Sequence, residues 1–335
     1  MQNFFSKKTE QTVLAEIIMI LSVLVFMSYF YYGLRVIIVV FISISSCYIT
    51  DIICCKLNKK HFKFNDLSAI STGLILALMM PASIPYEIMI FASCFSIVIG
   101  KQVFGGKGKN IFVPAAVGFI LSSFCWKEAI LMYPKPGEAL SLASHVPSEI
   151  FQSFTQTLNI AKIPSVLDID IFLGKFTGPM GATHIFILII AALILLFRRD
   201  ISLLVFLTAL STITIFAFFF PKFGNSQWTS VLYELTSGMV IFGLLFISCD
   251  FFTVPKNRSS RFLYGLIIGL LTVLLRRVGN TENPIVFATV IANPIGISLD
   301  ISAISFSELF DKYVKLIKEK RQKNNAEKII KQGKD

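Results

Sequence analysis

Long apolar stretches alternate along the chain with short polar segments that carry most of its charge. Each stretch is long enough to cross about 30 Å of hydrocarbon as a helix that rises about 1.5 Å per residue. Ten stretches can be counted: two begin near Leu14 and Arg35, and eight are centred on Leu74, Phe95, Val117, Ile189, Phe206, Leu245, Ile268 and Thr289. The pattern predicts an all-α integral membrane protein with about ten transmembrane helices.

The stretch from Ile70 to Gly100 is the least regular, because Pro81 and Pro85 interrupt it. Proline lacks a backbone N–H and ends or kinks a helix. The stretch therefore forms either two spans or one broken pair, and the distribution of charge favours two.

Basic residues mark every second connection between the predicted spans, as expected if these connections are cytoplasmic. They are Lys7 and Lys8, then Lys56, Lys59, Lys60 and Lys63, then Lys101, Lys107 and Lys109, then Arg198 and Arg199, then Lys256, Arg258 and Arg261, and finally the lysines from Lys312 onward. This alternation needs an even number of spans. It predicts a multi-pass protein of the inner (cytoplasmic) membrane with both termini in the cytoplasm. Arg276 and Arg277 break the rule, which indicates either an error in the count or a bound anion on the outer side.

Two related turns indicate an internal repeat. The segment from Phe104 to Pro114 and the segment from Arg276 to Pro284 each enter an apolar stretch through Asn and Pro. Five spans per half is an odd number, so the second half is inverted relative to the first, and inverted repeats usually place the working site near the bilayer midplane. We divide the chain into a first five-span repeat (1–126), an outer-side loop (127–178), a second five-span repeat (179–300) and a basic cytoplasmic tail (301–335).

Charge and composition exclude several classes of protein. The net charge of +11 lies mainly in the predicted cytoplasmic segments, where it orients the chain and contacts anionic lipid. We therefore expect the lipid bilayer, and no nucleic acid, as a partner. The six cysteines and three histidines have no metal-binding spacing, so no metal site is predicted. The glycine-rich turn at Gly105 matches no phosphate-binding loop, and no hydrolase motif is present.

Several motifs occur in one order along the chain. They are Asp66-Leu-Ser-Ala-Ile-Ser-Thr-Gly73, Gly100-Lys-Gln-Val-Phe-Gly-Gly106, Asp250-x-x-Thr253-x-Pro255, and Arg261-x-x-Tyr264-Gly265-x-x-x-Gly269-x-x-Thr272-x-x-x-Arg276-x-x-Gly279. In residues and spacing the chain resembles, from about Glu16 to Asp300, the RnfD component of Rnf-type electron transport complexes. That component is homologous to the NqrB component of the sodium-translocating NADH:quinone reductase.

The resemblance implies a subunit that carries flavin mononucleotide (FMN), joined through its phosphate to a threonine of an outer segment of the type S-x-A-T-P-L. Here the segment reads Ser153-Phe-Thr-Gln-Thr-Leu158, which puts Gln156 at the acceptor position. Glutamine has no hydroxyl to esterify, so covalent attachment is left open, with Thr155 and Thr157 as alternatives. Thr183, in Met180-Gly-Ala-Thr183, is a further candidate, although this segment is more similar to the family's entry into the sixth span.

The resemblance also implies other membrane subunits and iron-sulfur subunits as partners, in a complex that couples electron transfer to sodium or proton translocation. We expect Arg276 to hold the flavin phosphate, because an anion in a low-dielectric site needs a fixed positive charge. Asp250 ends an apolar run and is the candidate for the ion path. The chain would not be an enzyme by itself. The alternatives are a passive channel or solute transporter built on the same inverted repeat, and a flavin-free scaffold subunit of the same complex.

Overall fold

The computed structural model describes residues 10–59, 66–131, 133–137, 139–144, 153, 155–156, 168–222 and 226–303. Within these ranges the regular structure is helical and contains no β-strand. The helices are α1 (Glu10–Tyr32), α2 (Arg35–Leu57), α3 (Ser68–Met79), α4 (Tyr86–Ile97), α5 (Pro114–Cys125), α6 (Lys127–Leu131), α7 (Asp168–Leu173), α8 (Ile185–Arg198), α9 (Leu203–Phe219), α10 (Gln227–Thr236), α11 (Val240–Ser248), α12 (Arg258–Arg277) and α13 (Pro284–Ala303).

Every predicted apolar stretch falls in one of these helices, but only four helices, α1, α2, α12 and α13, are long and apolar enough to cross a membrane alone. Helices α10 and α11 together form a fifth candidate, bent by 55° at its break. Helices α3, α5, α8 and α9 are apolar but shorter, and α4 continues as a π-helical turn through Gln102. The structure thus supports four or five spans by length, whereas ten spans and their inverted relation stay a prediction.

The interruption predicted at Pro81 is a true break. Helix α3 ends at Met79, and Met80 takes an extended conformation, as is usual before proline. The carbonyl oxygens of Leu78 and Met80 accept hydrogen bonds from the N–H groups of Gly181 and Met180, at 2.8 and 3.1 Å. This non-helical backbone is buried in protein, which is one of the two settings in which irregular backbone is tolerated at membrane depth. The contact also ties the first half of the chain to the entry of the second.

Helices α9 and α12 pack closely because α12 presents two glycines four residues apart. A methyl group on Gly265 would overlap the Thr208 hydroxyl, and one on Gly269 would lie 2.6 Å from Thr212 Cβ. Small residues at this spacing let two helix backbones approach each other in a membrane.

Both repeated turns lead into a helix, and the first of them bends through three glycines. Gly105, Gly106 and Gly108 have φ values of 110°, 99° and 77°, in a region that side chains with a Cβ rarely adopt. The turns lead into α5 at Pro114 and into α13 at Pro284. Proline suits the first position of a helix because its missing N–H would have no helical partner there.

Candidate functional site

The break between α10 and α11 lies in a polar buried region of the second half. The residues Thr236-Ser237-Gly238 lie at the bend, where Gly238 and Met239 have φ values of 62° and 57°. The carbonyl groups at the end of α10 therefore lack helical partners and need other donors.

Arg276, in the last turn of α12, supplies these donors. Its guanidinium donates to the carbonyl oxygens of Glu234 and Ser237, at 2.5 and 2.9 Å, and to Glu234 Oε2 at 2.6 Å. The side chains of Arg276 and Glu234 are each only 2% exposed. Arg277 Nη2 lies 3.5 Å from the other oxygen of Glu234. Two arginines therefore share one carboxylate, which leaves one positive charge in excess.

Gly238 is the point at which three distant segments meet. Its N–H donates to the hydroxyl of Thr155 at 2.9 Å. A methyl group on Gly238 would overlap Arg276 Nη2 and would lie 2.8 Å from the carbonyl oxygen of Glu282. We call Thr155, Gln156, Glu234, Gly238, Arg276 and Glu282 the Gly238 site.

Gln156, at the expected acceptor position, is held within this site. Its amide donates to Glu282 Oε2 at 3.1 Å. Burial raises the pKa of Glu282 to about 7, although nearby hydrogen-bond donors and Lys127 oppose the change. The segment that follows Ser153 is thus fixed to the turn between α12 and α13.

The structure brings together two of the predicted site residues, Thr155 and Arg276, which both adjoin Gly238. Thr155 is 6% exposed, so its hydroxyl faces the protein. Thr157 lies outside the described residues. Thr183 is buried away from the Gly238 site, next to Gly178. A methyl group placed on Gly178 would lie 3.1 Å from Thr183 Cγ2.

The Gly238 site holds cationic donors that an anion can use. The Nε atoms of Arg276 and Arg277 have no hydrogen-bond partner among the described residues, and the two guanidiniums exceed Glu234 by one charge, which the Glu282 carboxyl offsets when it is ionised. A phosphate diester carries one negative charge, so a flavin phosphate esterified to a threonine is compatible with these arginines when Glu282 is neutral.

A second polar region lies where α3, α5 and the turn after α11 meet. Lys101 is 3% exposed and lies 2.8 Å from Asp51 Oδ2 and 2.8 Å from the Ser68 hydroxyl. Lys107 is 3.1 Å from Asp66. Burial alone would raise the pKa of Asp66. The two lysines and the N–H of Ser68 outweigh this effect and hold the pKa below its ordinary value.

Asp250, the ion-path candidate, faces the same region. It lines a cavity of about 30 Å³ together with Thr72, Lys101, Lys107 and Asn110, which is enough for a water molecule. We call this the Lys101 cavity. Burial raises the pKa of Asp250 to about 6, against the hydrogen bonds it accepts. The cavity thus joins residues of both halves of the chain.

Sequence reasoning missed Arg35, which is completely buried. Its guanidinium donates to the carbonyl oxygens of Ala82, Ser83, Ile84, Ser141, Ala143 and Ser144. It also stacks 4.7 Å above the ring of Tyr86. Like Arg276, Arg35 is an arginine at a predicted outer boundary. This departure from the positive-inside rule is the sequence signal that identifies it.

Comparison with known proteins places these features in a family. The NQR2, RnfD, RnfE family matches residues 3–302. The chain is similar to the D subunit of the ion-translocating oxidoreductase complex of Actinobacillus succinogenes, with 30% identity over 79% of this chain and 84% of the relative. It is 28% identical to the D subunit of the Na(+)-translocating ferredoxin:NAD(+) oxidoreductase complex of Acetobacterium woodii, over 82% and 83%. It is 24% identical to the proton-translocating counterpart of Clostridium ljungdahlii, over 79% and 82%.

Proposed function

Because the chain belongs to the NQR2, RnfD, RnfE family, we propose that it is a membrane component of a multi-subunit complex coupling electron transfer to ion translocation. The names of its relatives describe such complexes. One of these relatives is named for sodium and another for protons, so the proposal extends to either ion. Its partners would be the other membrane subunits and the iron-sulfur subunits of that complex.

The proposal includes a topology of ten spans in two inverted repeats of five. The apolar stretches all coincide with helices. Each half contains a short or broken one, α3 in the first half and α10–α11 in the second. With both termini in the cytoplasm of an inner-membrane protein, the Gly238 site would lie on the outer side. The Lys101 cavity would lie on the cytoplasmic side.

The proposal further includes FMN at the Gly238 site. The observation that carries it is the meeting of Thr155, Arg276 and the N–H of Gly238, which brings the candidate flavin segment to a buried cation. Thr155 or Thr157 would hold the flavin, and Arg276 with Arg277 would hold its phosphate. The flavin would supply electron transfer, while the protein supplies position and electrostatics.

Flavin fluorescence in a denaturing gel tests this assignment. The protein purified from its native host should give a fluorescent band that one of the variants Thr155→Ala and Thr157→Ala abolishes, which identifies the bond. Gln156→Thr restores a hydroxyl at the expected acceptor position and should move or add attachment. Thr229→Ala is the control, because Thr229 lies in α10 and donates to Ser226. Absence of flavin from the native protein would refute the assignment.

A flavin-free scaffold subunit is the second candidate, and two contacts favour it. The hydroxyl of Thr155 is committed to Gly238, and the side chain of Gln156 is committed to Glu282. Both contacts hold the segment without any cofactor. In this case the gel would be dark, and the purified complex would still contain the chain.

Asp250 is proposed as an ion-path residue on the opposite side. Its carboxyl lines the Lys101 cavity, which a water molecule can enter. A carboxylate beside a hydrated cavity near the membrane is a typical element of an ion or proton path. Asp250→Asn should reduce ion translocation in vesicles containing the assembled complex, while leaving flavin fluorescence unchanged.

A further inference from the structure

Glu282 lies in the turn between α12 and α13, and its carboxyl faces segments that are far apart in the chain. The amide of Gln156 donates to it at 3.1 Å. The hydroxyls of Ser153 and Tyr133 also lie close to it. The residue as a whole is partly exposed, whereas Oε1 of its carboxyl is buried and has no hydrogen-bond partner among the described residues, which leaves that oxygen open to a proton.

The environment of Glu282 differs from that of Glu234, the other carboxylate of the Gly238 site. Glu234 is paired with two arginines. Among the described residues, no Lys, Arg or His nitrogen lies within 4 Å of the Glu282 carboxyl, and the charge of Lys127 on α6 acts on it from a greater distance. A site with two carboxyls in such unequal surroundings usually assigns them different roles, one permanently charged and one able to gain a proton.

We propose that Glu282 is the proton-binding residue of the Gly238 site, taking up one proton when negative charge arrives beside Thr155 and releasing it when that charge leaves. The reaction is the conversion of one carboxylate and one proton into one carboxylic acid, with no other bond made or broken. The source of the negative charge rests on the proposed function. The proton binding itself does not.

Two contacts connect Glu282 to the place where that charge would arrive. Gln156, which binds its carboxyl, directly follows Thr155 in the chain. The carbonyl oxygen of Glu282 lies against Gly238, whose N–H holds the Thr155 hydroxyl. A negative charge at Thr155 is therefore close enough to favour the neutral form of Glu282.

Neighbouring groups let the carboxyl hold either charge state. Burial, together with the charge of Glu282, raises the pKa of Tyr133 well above its ordinary value, so Tyr133 keeps its hydroxyl proton and can donate to the carboxylate. The amide of Gln156 donates more strongly to a charged acceptor than to a neutral one. Loss of the charge would therefore loosen the hold on the segment that carries Thr155.

Infrared spectroscopy of the purified full chain tests the proton binding directly. The carboxylic-acid C=O band should lose intensity on raising the pH, with a midpoint near 7, and this component should be missing in Glu282→Gln. Glu128→Gln, a change of an exposed glutamate on α6, should leave it unchanged. Asp250 should keep a component with a midpoint near 6 in both variants. A component with a midpoint near 7 that survives in Glu282→Gln, or a Glu282 midpoint in the ordinary range of glutamate near about 4.3, would overturn the inference.

A second variant keeps the test decisive if Glu282→Gln does not accumulate. Gln156→Ala removes a donor that favours the charged carboxylate, so the midpoint should move to higher pH. An unchanged or lowered midpoint would contradict the contact on which the inference rests.

The link to arriving charge is measured separately from the proposed function. Reduction with dithionite should raise the midpoint in protein that shows flavin fluorescence, and should not move it in the flavin-free Thr155→Ala or Thr157→Ala variant. A midpoint near 7 without any flavin in the native protein would keep the proton site and refute the flavin assignment. If the midpoint of a flavin-bearing protein does not change on reduction, the coupling is refuted, while the proton site and the flavin assignment stand.

Discussion

The buried pair of Arg276 and Glu234 shows how single residues decide this structure. Each partner is almost completely sealed from solvent. Removing one charge from such a pair leaves the other without compensation, which typically costs about 3 to 5 kcal/mol. The pair therefore links the last turn of α12 to the end of α10.

We expect Arg276→Gln and Glu234→Gln each to lower the free energy of unfolding by about 3 to 5 kcal/mol. The double variant should lose less than the sum of the two, because of the three charges only that of the partly exposed Arg277 then remains. Thermal unfolding in detergent, carried out as a double-mutant cycle, measures this. Additive losses would mean that the two side chains do not interact.

Asp250 should make stability depend on pH in a predictable direction. Burial raises its pKa from 3.8 to about 6, so between these values the folded chain keeps a proton that the unfolded chain releases. The free energy of unfolding should therefore fall as the pH rises through this window. Asp250→Asn should flatten that part of the curve, and Asp170→Asn, a change of a partly exposed aspartate, should not. The same slope in Asp250→Asn and the parent would refute the assignment.

Residue-level chemistry was predicted from the sequence only in part. The arginine at position 276 stood out because it broke the charge rule, and Thr155 stood out through a family motif. Their contact with Gly238 depends on a bend and on segments more than 80 residues apart. Glu234 and Glu282 carry no local signal, because only the fold shows that one is paired with arginines and the other is not.

At the scale of the helices, close packing depends on small residues. The α9–α12 contact leaves no room for a methyl group at Gly265 or Gly269. Such a contact cannot relax without moving one helix away from the other.

Gly265→Ala and Gly269→Ala should therefore each destabilise the protein, by about 1 to 3 kcal/mol for added volume in a packed interface. The melting temperature in detergent measures this. Ser259→Ala, at an exposed position of the same helix, is the control. If the glycine variants melt like this control, the two helices are not in close contact.

Helix positions were easier to predict than helix lengths. The apolar stretches located the helices, and Pro114 and Pro284 correctly marked two helix starts. The breaks at Met79 and Gly238 shorten helices whose sequences remain apolar, because the unpaired backbone finds partners in distant segments. Hydropathy does not report such partners.

For the whole molecule, the proposed topology assigns the two polar regions to opposite membrane faces. In a cysteine-free background, Lys109→Cys should react with a membrane-impermeant maleimide only when the cytoplasmic face is accessible. Ser144→Cys should react only from the outer face. Labelling of both positions from one face would refute the ten-span arrangement.

The two halves are also joined by charge. Glu16, on α1, accepts hydrogen bonds from Arg198 at the end of α8. The backbone of Leu78 and Met80 binds the entry to α8. The halves therefore meet through paired polar groups, and neither can be removed without exposing them.

The carbonyl cage of Arg35 has a consequence for how the chain is made. Its last acceptor, the carbonyl oxygen of Ser144, is 109 residues further along the chain. At about 5 to 20 residues per second of synthesis, the ribosome needs about 5 to 20 seconds to supply it. Three of the six acceptors, Ser141, Ala143 and Ser144, are missing during that interval, so the guanidinium completes its hydrogen bonds only after α5 has been synthesised.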